Sequence, residues 1–166
     1  MTYLITFACY GAHLHGDESG SIDRLHNLPG SRAIAADAGR AALERRMMNQ
    51  PPYSLDQQRR EAVLAAILRR ANQRDWTIFA AHVRMNHVHI IINADATPER
   101  IMNDLKSFAS RQLNAIGLDV PDRKRWARHG STRWLRDRMN VDAAIQYIIE
   151  KQGDPMAVYV SDSLRR

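Results

Sequence analysis

Two apolar, β-branched runs, Trp76 to Val83 and Asn86 to Asn93, are separated only by Arg84 and Met85. Strand-sized runs with so short a break predict an antiparallel hairpin that turns on Arg84 and Met85. A helical stripe lies on each side of it. After a capping box of Ser54 and Gln57, Val63, Leu64, Ile67 and Leu68 recur at helical spacing and predict a helix to about Asn72. Thr97 as N-cap, Pro98 at the first helical position and the stripe Ile101, Leu105, Phe108, Ala109, Leu113 and Ile116 predict a second, stopped by Gly117. Thr2 to Gly11 alternates as a strand does, and Thr132 to Leu135 reads as a short strand. Asn140 then caps a last helix with Val141, Ala144, Ile145 and Ile148 on one face, ended by Gly153 and Pro155. The order strand, helix, strand, strand, helix, strand, helix predicts an α+β fold. Its core is a ferredoxin-like split βαβ antiparallel sheet with an additional C-terminal helix.

At 166 residues the chain is expected to form a single domain over 1–166, with a long loop or insertion at about 12–52. Residues 12–32 hold Gly, Ser, Asp, Asn and Pro without a period, and helical composition returns at Ala33 to Met48. The tail after Met156 carries no pattern. A single cysteine, Cys9, excludes an internal disulfide and a cysteine-zinc module, which suits a reducing compartment. The apolar stretches are strand-sized and the first residues lack a basic n-region, so a soluble, cytoplasmic protein without a membrane partner is expected. Lys and Arg number 24 against 18 Asp and Glu, a formal charge of +6. That excess is compatible with a polyanionic partner and equally with a generic basic surface.

Three features carry candidate chemistry. His87-Val88-His89 lies inside a predicted strand, so both imidazoles share one face about 6.6 Å apart while Val88, Ile90 and Ile92 share the other. Such a pair can grip one metal ion; the bland reading is two ordinary histidines on a half-exposed strand. A second pair, His13 and His15, sits in a Gly-flanked loop without strand context and reads as loop polarity or substrate contact. The histidine-triad hydrolase pattern is excluded, because the third alternate position is Ile91. Tyr147 falls off the buried face of the last helix beside Lys151 and Glu150; it is a stacking or packing residue, or a nucleophile if a metal or cation lies nearby. Residues 121–138, PDRKRWARHGSTRWLRDR, interleave cations with Trp126, His129 and Trp134. Arginine among aromatics suits single-stranded nucleic acid, and a solvated basic loop is the alternative. Lys106, Ser107, Ser110 and Arg111 of the preceding helix extend the same surface.

The wording and order of these stretches resemble the single-tyrosine HUH transposases, in particular the insertion-sequence-200-like and REP-associated branch. AAHVRMNHVHIIIN is similar to that family's "MPNHVHLL" strand and PERIMNDLKSFASRQLN to its "LKS" helix; RHGSTRWLRD and AIQYIIEKQG follow in the same order. The resemblance implies metal-dependent nicking and strand transfer of single-stranded DNA, including hairpin-containing DNA, through a 5′-phosphotyrosine intermediate. It assigns Tyr147 as nucleophile and His87 and His89 as ligands of Mg²⁺ or Mn²⁺. It also implies DNA contacts by Lys106, Arg111, Arg123, Lys124, Arg125, Trp126, Arg128, Arg133 and Lys151, and nucleoid-associated activity in a prokaryotic cytoplasm.

One departure concerns the third ligand. The family has Gln four residues after the tyrosine; here that position is Lys151, and Gln152 stands five away, roughly 140° from Tyr147 on an ideal helix. Gln152 could join the pair only if the helix unwinds ahead of Gly153; Glu150 or water would serve otherwise. Two other functions stay open on the residues: a non-catalytic DNA- or RNA-binding protein, and a metal-dependent phosphodiesterase in which water attacks. A homodimer stays open too, since relatives include dimers and monomers.

Overall fold

A computed structural model describes residues 1–12 and 38–162; His13, His15, most of the 12–32 loop and the start of the Ala33–Met48 segment lie outside them. The elements run β1 (Thr2–Cys9), α1 (Ala38–Met47), α2 (Gln57–Gln73), β2 (Thr77–Val83), β3 (His87–Asn93), α3 (Pro98–Ala115), β4 (Trp126–Leu135), α4 (Arg138–Glu150) and β5 (Ala157–Val160). The strands form one antiparallel sheet in the order β4-β1-β3-β2-β5. Its first four strands have the expected ferredoxin-like arrangement. No helix among the described residues is long and apolar enough to cross a membrane.

The two sheet faces bury different amounts of apolar surface. On one, Tyr3, Ile5, Phe7 and Cys9 of β1 stand beside Val88, Ile90 and Ile92 of β3. They pack under Val63 and Ile67 of α2 and Ile101, Leu105 and Leu113 of α3, which form the main core. The other face holds a smaller cluster, in which Ala80, Ile91 and Leu135 meet Val141, Ala144 and Ile148 of α4. With helices on both sides, β3 is buried without interruption from Val88 to Ile92. The histidine pair is therefore on the α4 face.

Several boundaries differ from the sequence expectation, each for a local reason. The hairpin turns on Met85 and Asn86, one residue late, because the Arg84 N–H bonds the His87 carbonyl at 2.9 Å. The carbonyls of Met85 and Asn86 are meanwhile drawn to Leu55 and Cys9. Asp56, not Ser54, caps α2: Leu55 is fully buried with its N–H on Met85, so the chain stays extended through 55. Asp137, not Asn140, caps α4, whose first turn of Arg138 and Met139 is exposed and lies ahead of the buried stripe that starts at Val141.

β4 is ten residues rather than four, since Arg, His and Gly hide its alternation. Gly130 is needed there, because a Cβ would meet the Thr6 carbonyl oxygen and Met102 Sδ, each at 2.5 Å. Finally, the tail is a strand: β5 adds to the edge of β2, pairing Val158 with His82.

Candidate active site

Cross-strand pairing sets Ser131, Thr6, His89, His82 and Val158 in one row across all five strands. Within it Thr6 Oγ1 and His89 Nδ1 are hydrogen-bonded at 2.8 Å. The His87 ring lies 4.7 Å from that of His89, nearly perpendicular at 85°. Its Nδ1–H donates to Asn86 Oδ1 at 2.6 Å, which leaves the ring's lone pair on Nε2. His89 is 6% exposed, and its Nε2 is a buried nitrogen without a hydrogen-bond partner. Burial, and after it the neighbouring His87, pushes the His89 ring down to about 3 against an opposing pull from the Gln152 side chain. At neutral pH the ring is neutral.

α4 brings Tyr147 over this pair. The Tyr147 ring stands 6.4 Å from the His89 ring at 77° and is 46% exposed, so it can meet a ligand from solvent. The helix ends at Glu150, Lys151 caps it, and Gly153 at φ +77° turns the chain. Because the helix stops there, Gln152 does not follow the ideal helical angle. Its side chain comes alongside His89 without a hydrogen bond to Nε2. Glu150 instead accepts from Gln146 at 2.9 Å, and no group of three His, Cys, Asp or Glu forms among the described residues. Glu150 is thus engaged along its own helix, and Gln152 is the side chain that stands beside His89.

The model of the family described as "Transposase IS200 like" matches residues 51–151, which span α2, the hairpin, α3, β4 and α4. The chain belongs to the IS200-like transposase family. No curated protein matches it in sequence. Among solved structures, this transposase is similar to a REP-associated tyrosine transposase bound to a REP hairpin. That likeness has 15% identity and a TM-score of 0.49, over 92% of this chain and 68% of the other. A candidate transposase of Deinococcus radiodurans R1 is 14% identical, with a TM-score of 0.46, over 92% of this chain and 90% of that one.

The basic run of the transposase divides in two. Arg125 is 4% exposed; it pairs with Asp119 at 3.0 Å and also bonds Asn114 and the Val120 carbonyl. Lys106 is buried with its ammonium on the carbonyls of Ala127 and His129, and burial pulls it down to about 8. The Trp126 indole N–H donates to the Lys106 backbone carbonyl and to Ser110 Oγ, and its ring meets Phe7 edge-on at 5.2 Å. Arg123 is tied to Gln50 and to the carbonyls of Pro51 and Pro52. These four anchor β4 and the loop before it to α3 and to the 50–53 segment. Arg111, Lys124, Arg128, Arg133 and Lys151 are exposed, and the register Leu4 to Arg133 puts Arg133 on the histidine face.

Three residues of the site went unnoticed in the sequence. Thr6 and Asn86 orient the imidazoles, and His82 stands opposite His89. A turn centred on Met85 and Asn86 would have paired 82 with 89, but one centred a residue earlier pairs 82 with 87. Thr6 needed the β1–β3 register, which no local pattern contains.

Proposed function

We propose that the transposase nicks and rejoins single-stranded DNA through Tyr147, with a divalent cation, Mg²⁺ or Mn²⁺, held by His87, His89 and Gln152. We take residues 1–166 as one catalytic domain. The carrying observation is the unpartnered, buried Nε2 of a neutral His89, beside a second imidazole and under an exposed phenol ring. A buried nitrogen left without a partner is costly, and a neutral imidazole whose Nδ1 is already engaged is the form that ligates a divalent metal. When bound, the cation would withdraw charge from the scissile phosphodiester.

The chain's own residues supply the rest. Thr6 and Asn86 hold the two rings from behind, and α4 presents the Tyr147 oxygen. In the forward step that oxygen bonds to phosphorus and the bond from phosphorus to the 3′ oxygen breaks. The phenol gives up its proton, the 3′ oxygen departs and takes one up, so the proton count is unchanged, and the 5′-phosphate stays on tyrosine. Attack by a 3′-hydroxyl on the phosphotyrosine reverses the step. Each displacement exchanges one phosphoester for another, so no nucleotide cofactor is required. Lys151, exposed at the end of the same helix, offers a cation to the phosphate.

Incubation with labelled single-stranded DNAs bearing hairpins is expected to give a covalent protein–DNA adduct on a denaturing gel in Mn²⁺ and none in EDTA. Cleavage without an adduct would make water the nucleophile. Binding without cleavage would leave a non-catalytic binder.

The exposed cations carry a second prediction. Replacing Arg128 and Arg133 together by Ala should flatten the dependence of log affinity on log salt by about 1.4, at about 0.7 per phosphate contact on a single strand. An unchanged slope would move the DNA path elsewhere. Arg125, although in the same run, is expected to change folding stability and not this slope.

A further inference from the structure

His82 of β2 is fully buried and stands directly across from His89, yet it takes no part in the chemistry above. Its Nδ1–H donates to the Ile148 carbonyl at 2.7 Å, and its Nε2 accepts the Met156 N–H at 3.2 Å. With one nitrogen donating and the other accepting, a single neutral tautomer satisfies both partners. Ile148 follows Tyr147, and its carbonyl is among the last four of α4, which the helix cannot bond internally. The two bonds thus bracket residues 148–156.

Inside the bracket the Lys151 N–H still bonds the Tyr147 carbonyl at 3.1 Å, and Gly153 turns the chain just after Gln152. Arg84 supports the far side, donating to the Asp154 carbonyl at 3.2 Å. A Cβ at 153 would stand 3.3 Å from its guanidinium, so this turn needs glycine for conformation and has little spare room.

We propose that His82 is a positioning residue for the active site: its bond to Ile148 sets Tyr147 over the histidine pair, and its bond to Met156 sets Gln152 beside His89. The inference rests on the function proposed above. Side chains that orient metal ligands typically change metal affinity tenfold to a hundredfold when removed.

The two bonds can be separated. Asn puts its amide nitrogen near the place of Nδ1, so His82→Asn keeps the Ile148 bond. Gln puts its carbonyl oxygen near the place of Nε2, so His82→Gln keeps the Met156 bond; His82→Leu keeps neither. Each variant would be assayed by thermal melting, by calorimetric Mn²⁺ titration and by single-turnover adduct formation at saturating Mn²⁺. In His82→Leu, Mn²⁺ affinity and adduct rate should each fall about tenfold. His82→Gln should recover the affinity but not the rate, and His82→Asn the rate but not the affinity. Equal behaviour of the Asn and Gln variants, or losses that merely follow Tm in all three, would overturn the proposal, whether or not His82→Leu folds.

The Gln152 side-chain amide resonances, read by ¹H–¹⁵N NMR without metal or DNA, should move in His82→Asn and stay in place in His82→Gln. If the wild-type protein forms no adduct, the proposed function fails. The NMR comparison still decides whether His82 places Gln152.

Discussion

Tyr147→Phe is expected to lower the covalent protein–DNA adduct by more than about a thousandfold, to background, because it removes the attacking oxygen and leaves no substitute of similar reactivity. The substitution keeps the aromatic ring that faces His89, so the packing of α4 on the sheet should persist. DNA affinity should stay within about threefold, since one exposed hydroxyl contributes on the order of 0.5 kcal/mol. Mn²⁺ titration should be unchanged, as the phenol is not among the proposed ligands. A denaturing gel beside a binding titration measures both quantities on one preparation. Retention of the adduct would show that another residue attacks. Loss of binding together with cleavage would instead make Tyr147 a base-stacking residue.

Asp119→Ala should produce the largest loss of stability, about 3–5 kcal/mol, because it leaves a buried guanidinium without its counter-charge. Asp119 joins three parts of the chain. It accepts from Tyr53 at 2.6 Å, from Arg59 at 3.1 Å and from Arg125 at 3.0 Å, and the Arg125 and Asp119 side chains are only 3% and 8% exposed. For a domain of this size the loss corresponds to a fall in Tm of roughly 10 °C. Urea or thermal unfolding would measure it; a change below about 1 kcal/mol would mean that water solvates Arg125 once its partner is gone.

The same carboxylate sets an acid limit. Burial works to raise its pKa, but hydrogen bonds from Tyr53, Arg125 and Arg59 outweigh burial and hold it below the ordinary carboxylate range. A group whose folded pKa is depressed contributes its full stabilisation above the unfolded pKa. That contribution should disappear as pH falls through the folded value, and the Asp119→Ala protein should lack this part of the acid transition.

Much of the architecture was legible because burial imposes a period. Alternation in Thr2–Cys9 and the stripes of α2 and α3 announced elements that the main core then buried. The same reasoning placed His87 and His89 on one face and Tyr147 on an exposed face, since strand and helix periods fix side-chain direction before any packing is known. Signals that depend on a partner could not be read this way. β5 has only four half-buried residues and exists because β2 presents an open edge to it. The ten residues of β4 pair with β1 although their own pattern is broken by Arg, His and Gly.

Charge was the least legible property. In the sequence Arg125 and Arg128 look alike, yet one is locked to Asp119 and the other is exposed, because an arginine's role depends on whether an acid from a distant segment reaches it. The third candidate ligand follows the same logic. Five residues after Tyr147, Gln152 would point away from the pair on a continuous helix. It comes alongside His89 where α4 stops at Glu150 and the chain turns at Gly153. The sequence by itself determined β1, the β2–β3 hairpin, α2, α3 and α4 with their apolar faces, the shared face of the histidine pair and the exposed position of Tyr147, since each follows from local periodicity. Only the tertiary structure decided which cations remain exposed, how the hairpin is registered and where Gln152 lies, because each depends on hydrogen bonds between residues far apart in the chain.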